Sequence, residues 1–143
     1  MKPIKNNLII ELHVPDFVKV KNFYSKLGFK ILSEDPIGEQ LGYLVMERVD
    51  GLGRTLINFY GGDKRVVGHS FFKDFSRETK PGYEVEITIP VENLEELYKK
   101  IPNELRSRVR QELMFKRWNK KDFRIEDPFG FYLRFTELVD WGQ

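Results

Sequence analysis

The chain contains no cysteine, which excludes disulfide bonds, thiol nucleophiles and thiolate metal sites. Only two of its 143 residues are histidine, so imidazole ligands for a metal are scarce. No run of apolar residues approaches the roughly 20 that cross a bilayer. Residues 1–7 lack the apolar core of a signal peptide. We therefore expect a cytoplasmic protein that makes no membrane contact.

The chain also has no large excess of charge of either sign, because 24 Lys and Arg residues are balanced by 22 Asp and Glu residues. A net charge of +2 does not require a polyanionic partner. Residues 106–121 are a local exception, in which seven basic residues are interleaved with Phe115 and Trp118 as in some nucleic-acid-binding ribbons. A solvated strand face is the preferred interpretation, so nucleic-acid binding is not expected. The basic residues are Arg106, Arg108, Arg110, Lys116, Arg117, Lys120 and Lys121.

The sequence does contain a pattern that occurs twice. Residues 8–14 alternate between apolar and polar side chains, and an amphipathic helix follows from the N-cap Asp16 to Gly28. Residues 83–90 alternate in the same way, and a second helix is predicted over residues 92–101. Three further strands are predicted after each helix, at 29–33, 41–49 and 54–60, and then at 107–115, 121–126 and 131–137.

This duplication predicts an α+β fold of two βαβββ modules, in which neither module buries its apolar face alone. We place the modules at about residues 5–61 and 82–138, joined by a linker over 62–81, within one domain that spans 1–143. The linker contains an aromatic cluster that could be a lid over a hollow or a plug between the modules: Phe71, Phe72 and Phe75.

Two sequence motifs in the modules indicate a family resemblance. Residues 14–29 contain Val-Pro-Asp, then Phe-Tyr, then Leu-Gly-Phe, and residues 127–130 read Asp-Pro-Phe-Gly. Together with the duplication, these motifs resemble the glyoxalase / bleomycin-resistance / extradiol-dioxygenase superfamily over nearly the whole chain. The resemblance implies that the curved mixed sheets of the two modules form an open barrel, commonly within a homodimer. It does not settle the function, because this fold carries several chemistries.

The resemblance also implies where a metal ion would bind. The ligand positions of the enzymes fall on Ile9, near Asn58, on or near Glu86, and on Arg134. Ile9 has no lone pair and Arg134 is positively charged, so only Glu86 is a good ligand. We therefore expect no metal and no other cofactor. We expect instead an ion pair between Glu86 and Arg134 at the position where the enzymes hold a metal.

Strand alternation predicts the side chains that face the hollow of the barrel. One interpretation of these residues is purely structural: they form the solvent-exposed face of a half-buried sheet. The functional interpretation is that they form a ligand-binding surface. Trp118 is added as an aromatic residue of the groove. The predicted ligand-binding set is Glu11, His13, Asn58, Tyr60, Glu84, Glu86, Trp118, Tyr132 and Arg134.

The preferred functional hypothesis is a metal-free small-molecule-binding protein of the bleomycin-resistance type, with no catalytic residue. It would sequester a flat ligand, cationic if the unpaired carboxylates face it, in a groove between modules or subunits. Antibiotic resistance enters by analogy alone. The alternative is a metal-dependent glyoxalase-like lyase or dioxygenase, with one divalent ion at a displaced site formed by Glu11, His13 and Glu86.

Overall fold

The computed structural model describes residues 8–67, 74, 78 and 82–138. Within these residues the βαβββ order occurs twice, with one additional short helix in the second copy. The first copy comprises β1 (Glu11–Val14), α1 (Phe17–Ser25), β2 (Lys30–Asp35), β3 (Gly42–Asp50) and β4 (Gly53–Gly61). The second copy comprises β5 (Glu86–Pro90), α2 (Leu94–Lys99), α3 (Asn103–Arg106), β6 (Val109–Phe115), β7 (Lys121–Glu126) and β8 (Tyr132–Thr136).

Each copy forms a four-stranded mixed sheet, ordered β1-β4-β3-β2 in the first and β5-β8-β7-β6 in the second. The β1–β4 and β5–β8 pairs are parallel, whereas the other neighbours are antiparallel. The sheets are curved but not closed. The predicted α+β class and its two mixed sheets are therefore confirmed.

Helix α1 forms because its capping and its apolar spacing agree. The Asp16 side chain accepts a hydrogen bond from the backbone N–H of Lys19 at 3.1 Å, which satisfies one of the free amides of the first turn. Val20 and Tyr24 recur at helical spacing and are fully buried. Gly28 follows the helix with a φ of 91°, a conformation that favours glycine.

The core is one cluster of apolar side chains that belongs to both modules. Strand alternation supplies it, because every second residue of a strand points to the same face. Ile57 and Phe59 of β4 and Leu133 and Phe135 of β8 are fully buried in this cluster. The residues between them therefore point to the opposite face of each sheet, where the polar side chains lie.

Two hydrogen-bonded contacts join the modules at their turns. The Tyr24 hydroxyl of α1 donates to Asp127 Oδ2 at 2.8 Å in the β7–β8 turn. The Asp50 carboxylate in the β3–β4 turn accepts from the backbone N–H of Glu92 at 2.9 Å. Glu92 Oε2 in return accepts from the backbone N–H of Gly51 at 2.7 Å. The hairpin turn of each module thus contacts the helical region of the other.

Asp127 is the most strongly buried of the acidic groups in these contacts. Burial raises its pKa to about 6, although hydrogen bonds from Tyr24 and from the backbone N–H groups of Phe129 and Phe131 favour the charged form. Burial also raises the pKa of the Tyr24 hydroxyl, and the charge of Asp127 adds to that effect. This contact therefore makes stability depend on pH.

Two boundaries differ from the sequence predictions. Strand β5 begins at Glu86, so Glu84 is not on the strand face where we expected it. The helix predicted over 92–101 ends at Lys99 and is followed by the separate helix α3, whose four residues are too short for a periodicity to indicate. The aromatic cluster Phe71, Phe72 and Phe75 lies outside the described residues.

Candidate functional site

The polar face of the second sheet contains a cleft of about 950 Å³. Strand register forms its floor, because Glu86 of β5 and Glu126 of β7 both lie opposite Tyr132 of β8. Four of its lining residues are glutamates and two are tyrosines. The lining residues are Glu78, Tyr83, Glu84, Val85, Glu86, Glu126, Gly130 and Tyr132.

Glu84 reaches this cleft from a turn before β5. The backbone N–H of Val85 donates to the carbonyl of Gly82 at 3.0 Å and closes the turn. Glu84 has a φ of 58°, a left-handed conformation that costs a non-glycine residue of the order of 1 kcal/mol. In the described part of the chain its carboxylate has no cationic partner.

The turn is fixed against the neighbouring β7–β8 turn. The backbone N–H of Gly82 donates to the carbonyl of Phe129 at 3.1 Å. A side chain at position 82 would meet backbone atoms, since a Cβ there would lie 2.1 Å from the nitrogen of Phe131 and 2.3 Å from the carbonyl carbon of Gly130. This close approach sets the position of Tyr83 and Glu84 at the cleft.

The predicted ion pair between Glu86 and Arg134 is wrong. Glu86 instead pairs with Arg124 of β7, which contacts both carboxylate oxygens and also donates to the side chain of Gln111. Arg134 Nε donates to Asp122 Oδ2 at 2.8 Å. A fully buried carboxylate such as Asp122 requires a charged partner, and this requirement assigns Arg134 to it.

The polar face of the first sheet holds a second hydrogen-bonded cluster. His13 Nε2 lies 3.2 Å from Glu11 Oε2, and the Tyr43 hydroxyl donates to Glu11 Oε1 at 2.6 Å. Asn58 Nδ2 donates to the Tyr43 hydroxyl at 3.0 Å, and the Tyr60 ring lies 4.9 Å from the His13 ring. Burial raises the pKa of Tyr43, and its hydrogen bond to Glu11 adds to the shift.

These two polar faces separate the predicted ligand-binding residues. Glu84, Glu86 and Tyr132 line the cleft. Trp118 and Arg134 lie beyond its lining residues, with the Arg134 guanidinium carbon 5.4 Å from the centre of the Trp118 ring. The first polar face holds the remaining four: Glu11, His13, Asn58 and Tyr60.

Sequence reasoning missed several residues that take part in the hydrogen-bonded clusters of the two polar faces. Tyr43 accompanies Glu11 on the first face, whereas Asp122, Arg124 and Glu126 share the polar face of β7. Period-two alternation within the predicted strands 41–49 and 121–126 could have identified these residues as members of the polar faces. The pairing partners of these residues could not be deduced from alternation, because they belong to other strands.

The donor set does not fit a metal ion within one chain. Glu11 and His13 are adjacent, but Glu86 lies on the other sheet and is held by Arg124. The described residues contain no group of three or more His, Cys, Asp or Glu side chains that could hold a metal. Arg134 places a guanidinium where the resemblance implied a ligand.

Several cations of the basic stretch are bound to groups of the chain itself. Arg106 donates to the carbonyl of Tyr98 at 2.8 Å, and Arg108 donates to the carbonyl of Asp127 at 3.1 Å. Lys121 pairs with Glu95. These contacts leave fewer cations for a phosphate backbone. Among the described residues, no helix is long and apolar enough to span a membrane.

Comparison with solved structures confirms the fold predicted by the resemblance. A bleomycin resistance determinant encoded on transposon Tn5 is 18% identical, with a TM-score of 0.61 over 93% of this chain and 98% of that one. A bleomycin-binding protein complexed with bleomycin is 17% identical, with a TM-score of 0.59 over 94% and 100%. A glyoxalase/bleomycin resistance protein/dioxygenase superfamily member from Sphaerobacter thermophilus is 16% identical, with a TM-score of 0.58 over 93% and 98%.

At these identities the likeness shows a shared fold. No protein-family model matches the chain, and no curated protein sequence matches it.

Proposed function

We propose that this protein binds a small, flat, cationic organic molecule in the cleft of its second sheet, without catalysis. The observation that carries the proposal is the lining of that cleft, which combines four carboxylates with two phenol rings in about 950 Å³. This volume is at the upper end of the range of drug-sized ligand sites. Carboxylates attract a cation, and tyrosine rings offer faces on which a flat group stacks.

Glu84 is the carboxylate that we assign to the ligand. Arg124 neutralises Glu86, and Arg110 lies 3.5 Å from Glu126. Glu84 has no such partner in the described part of the chain, so its charge is available to an incoming cation. The bleomycin complex of a protein with this fold supports a small-molecule ligand as the class of partner.

We also propose that two copies of the chain form a homodimer in which the first polar face of one copy faces the cleft of the other. Ile9 is 72% exposed and Leu56 is 40% exposed. Leu56 lies on β4 and Ile9 lies just before the neighbouring strand β1, beside the Glu11 cluster. At the rim of the cleft, Val85 is 40% exposed. A second copy would cover these apolar side chains and would bring Glu11, His13 and Tyr60 to the ligand.

The binding proposal predicts a charge-specific loss of affinity in Glu84→Gln. Isothermal titration with ethidium and with bleomycin should show saturable binding to the unmodified protein. We expect the variant to bind about tenfold or more weakly, because it loses a charged contact of at least about 1.4 kcal/mol. Glu96→Gln is the matched control, since Glu96 lies on α2 and pairs with Lys100 at 2.6 Å. Equal affinities in the two variants would contradict the assignment of Glu84.

A metal-dependent lyase or dioxygenase is the second candidate, and the adjacency of Glu11 and His13 is the observation in its favour. Elemental mass spectrometry decides between the two, on protein purified without chelator and without a metal-affinity tag. We expect far less than one equivalent of zinc, nickel, iron or manganese, both in the unmodified protein and in Glu86→Ala. One equivalent that disappears in the variant would overturn the metal-free proposal.

A further inference from the structure

We propose that Arg134 and Asp122 are positioning residues that hold the Trp118 indole as a preorganised stacking surface for the flat ligand. The inference rests on the proposed function, because it extends the ligand site from the cleft along the second polar face. The sequence predicts Trp118 as a ligand-binding residue, whereas the structure shows that Asp122 and Arg134 form a connected support for its ring.

The support starts at Asp122, whose side chain is fully buried. Gln111 Nε2 donates to its Oδ1 at 2.8 Å, and Arg134 Nε donates to its Oδ2 at 2.8 Å. Lys116 Nζ lies 3.8 Å from Oδ1. Burial alone would raise the pKa of Asp122, but these hydrogen bonds and charges hold it below its usual value. The carboxylate is therefore charged at neutral pH and fixed in place.

Arg134 connects the fixed Asp122 carboxylate to the Trp118 indole. Its side chain is 13% exposed, and Nε is engaged by Asp122, so the plane of the guanidinium has little freedom. The guanidinium carbon lies 5.4 Å from the centre of the Trp118 ring, within the range of a cation–π contact. A planar guanidinium can stack on an aromatic face in a way that an ammonium group cannot.

Trp118 stands in the tight connection between β6 and β7. The backbone N–H of Lys116 donates to the carbonyl of Lys120 at 2.8 Å, and Asn119 has a φ of 63°. The indole is 46% exposed, although aromatic rings of this size are usually well covered. Arg134 covers one face of the ring and a ligand can occupy the other.

The position of Trp118 relative to the cleft fits one elongated ligand. Arg134 and Tyr132 are two residues apart on β8 and share its polar face, so their Cα atoms are separated by about 7 Å. A flat molecule that contacts Tyr132 and Glu84 in the cleft therefore reaches Trp118 along the same strand. Fixing the ring in advance reduces the entropy lost when the ligand binds.

The fluorescence of Trp118 tests the support independently of any ligand. The chain has two tryptophans, so a Trp141→Phe background leaves Trp118 as the only one. We expect Arg134→Gln and Asp122→Asn to raise the acrylamide quenching constant of Trp118 about twofold and to lower its fluorescence anisotropy, because the ring loses its fixed partner. Arg134→Lys should behave like Arg134→Gln, since one lysine ammonium group cannot replace both the Nε hydrogen bond to Asp122 and the guanidinium group over the Trp118 ring.

Lys121→Gln is the matched control. Lys121 Nζ lies 4.8 Å from the centre of the Phe115 ring, so this variant also removes a cation from an aromatic face but does not touch Trp118. Its quenching constant should equal that of the background protein. If Asp122→Asn or Arg134→Gln does not fold, Arg134→Lys still decides the outcome, because it keeps a charged partner for the buried Asp122 carboxylate.

Ligand affinity then separates this inference from the proposed function. We expect Arg134→Gln and Arg134→Lys to bind ethidium about tenfold more weakly than the background protein, and Lys121→Gln to bind it equally well. Unchanged quenching in Arg134→Gln would overturn the positioning role. A freed indole with unchanged ethidium affinity would overturn its link to the ligand. A background protein that binds no ethidium refutes the proposed function instead, and the quenching data still decide the contact itself.

Discussion

Replacing Asp127 with alanine is expected to lower the free energy of unfolding by about 3–5 kcal/mol at about pH 5. The Asp127 carboxyl accepts hydrogen bonds from the Tyr24 hydroxyl and from the backbone N–H groups of Phe129 and Phe131, at 2.8–2.9 Å. All three donors would lose their partner inside the protein, and each orphaned buried donor costs about 1–3 kcal/mol. Urea denaturation of the unmodified protein and the variant measures the difference.

The difference in unfolding free energy between the unmodified protein and Asp127→Ala depends on pH, and the sign of this dependence follows from the pKa of Asp127. The folded-state pKa of Asp127 is about 6, above its ordinary value of 3.8, so the folded protein binds this proton more tightly than the unfolded chain does. The resulting stabilisation is fully present below about pH 4 and is lost as pH rises through 6. At about 1.4 kcal/mol per pKa unit it amounts to about 3 kcal/mol.

The advantage of the unmodified protein over Asp127→Ala should therefore shrink by about 1.4 kcal/mol between pH 5 and pH 7.5, because part of the stabilisation is already lost at pH 5. Other titrating carboxylates are common to both proteins and cancel in the difference. Asp35→Ala provides the control, because Asp35 is exposed on the edge strand β2 and its loss should change stability little at either pH. An advantage that grows with pH would contradict a raised pKa for Asp127.

Replacing Gly82 with alanine is expected to destabilise the protein by about 3 kcal/mol and to abolish most ligand binding. The added methyl group would lie 2.1 Å from the backbone nitrogen of Phe131, and a backbone atom cannot rotate away as a side chain can. The turn that carries Tyr83 and Glu84 would have to move, and the cleft would change shape with it. Thermal unfolding and ethidium titration measure the two effects.

Gly38→Ala is the matched control for this substitution. A Cβ at Gly38 would meet no atom within 4 Å, so we expect its stability and its ethidium affinity to remain near those of the unmodified protein. A Gly82→Ala variant that is as stable as Gly38→Ala and binds ethidium equally well would show that the turn tolerates displacement. The position of Glu84 would then not depend on the close approach to Gly130.

The fold was predictable from sequence because its signals are local. Alternation over 8–14 and 83–90, a capping aspartate at 16 and the turn Asp-Pro-Phe-Gly at 127–130 each act within a few residues. Each of these signals recurs in the observed order of strands and helices. Their repetition predicted two βαβββ modules with a shared core, because a repeated supersecondary unit cannot bury its apolar face alone. The mixed character of the two sheets was implied by the family resemblance.

The site was less predictable because its contacts depend on burial and on other strands. Alternation placed Arg134 on the correct face, but it could not show that Asp122 is fully buried and takes the guanidinium in preference to Glu86. Glu84 was expected on a strand, whereas the close approach of Gly82 to the β7–β8 turn places it in a turn with a positive φ. Neither effect leaves a pattern within one segment.

The measurement that tests the central claim most directly is an amide NMR spectrum of the protein titrated with ethidium and with bleomycin. We predict that the largest shifts occur at Tyr83, Glu84 and Tyr132 in the cleft, and that Glu84→Gln reduces them at equal ligand concentration. Shifts confined to residues away from the second polar face, or no shift with either compound, would contradict a cation-binding cleft in this protein.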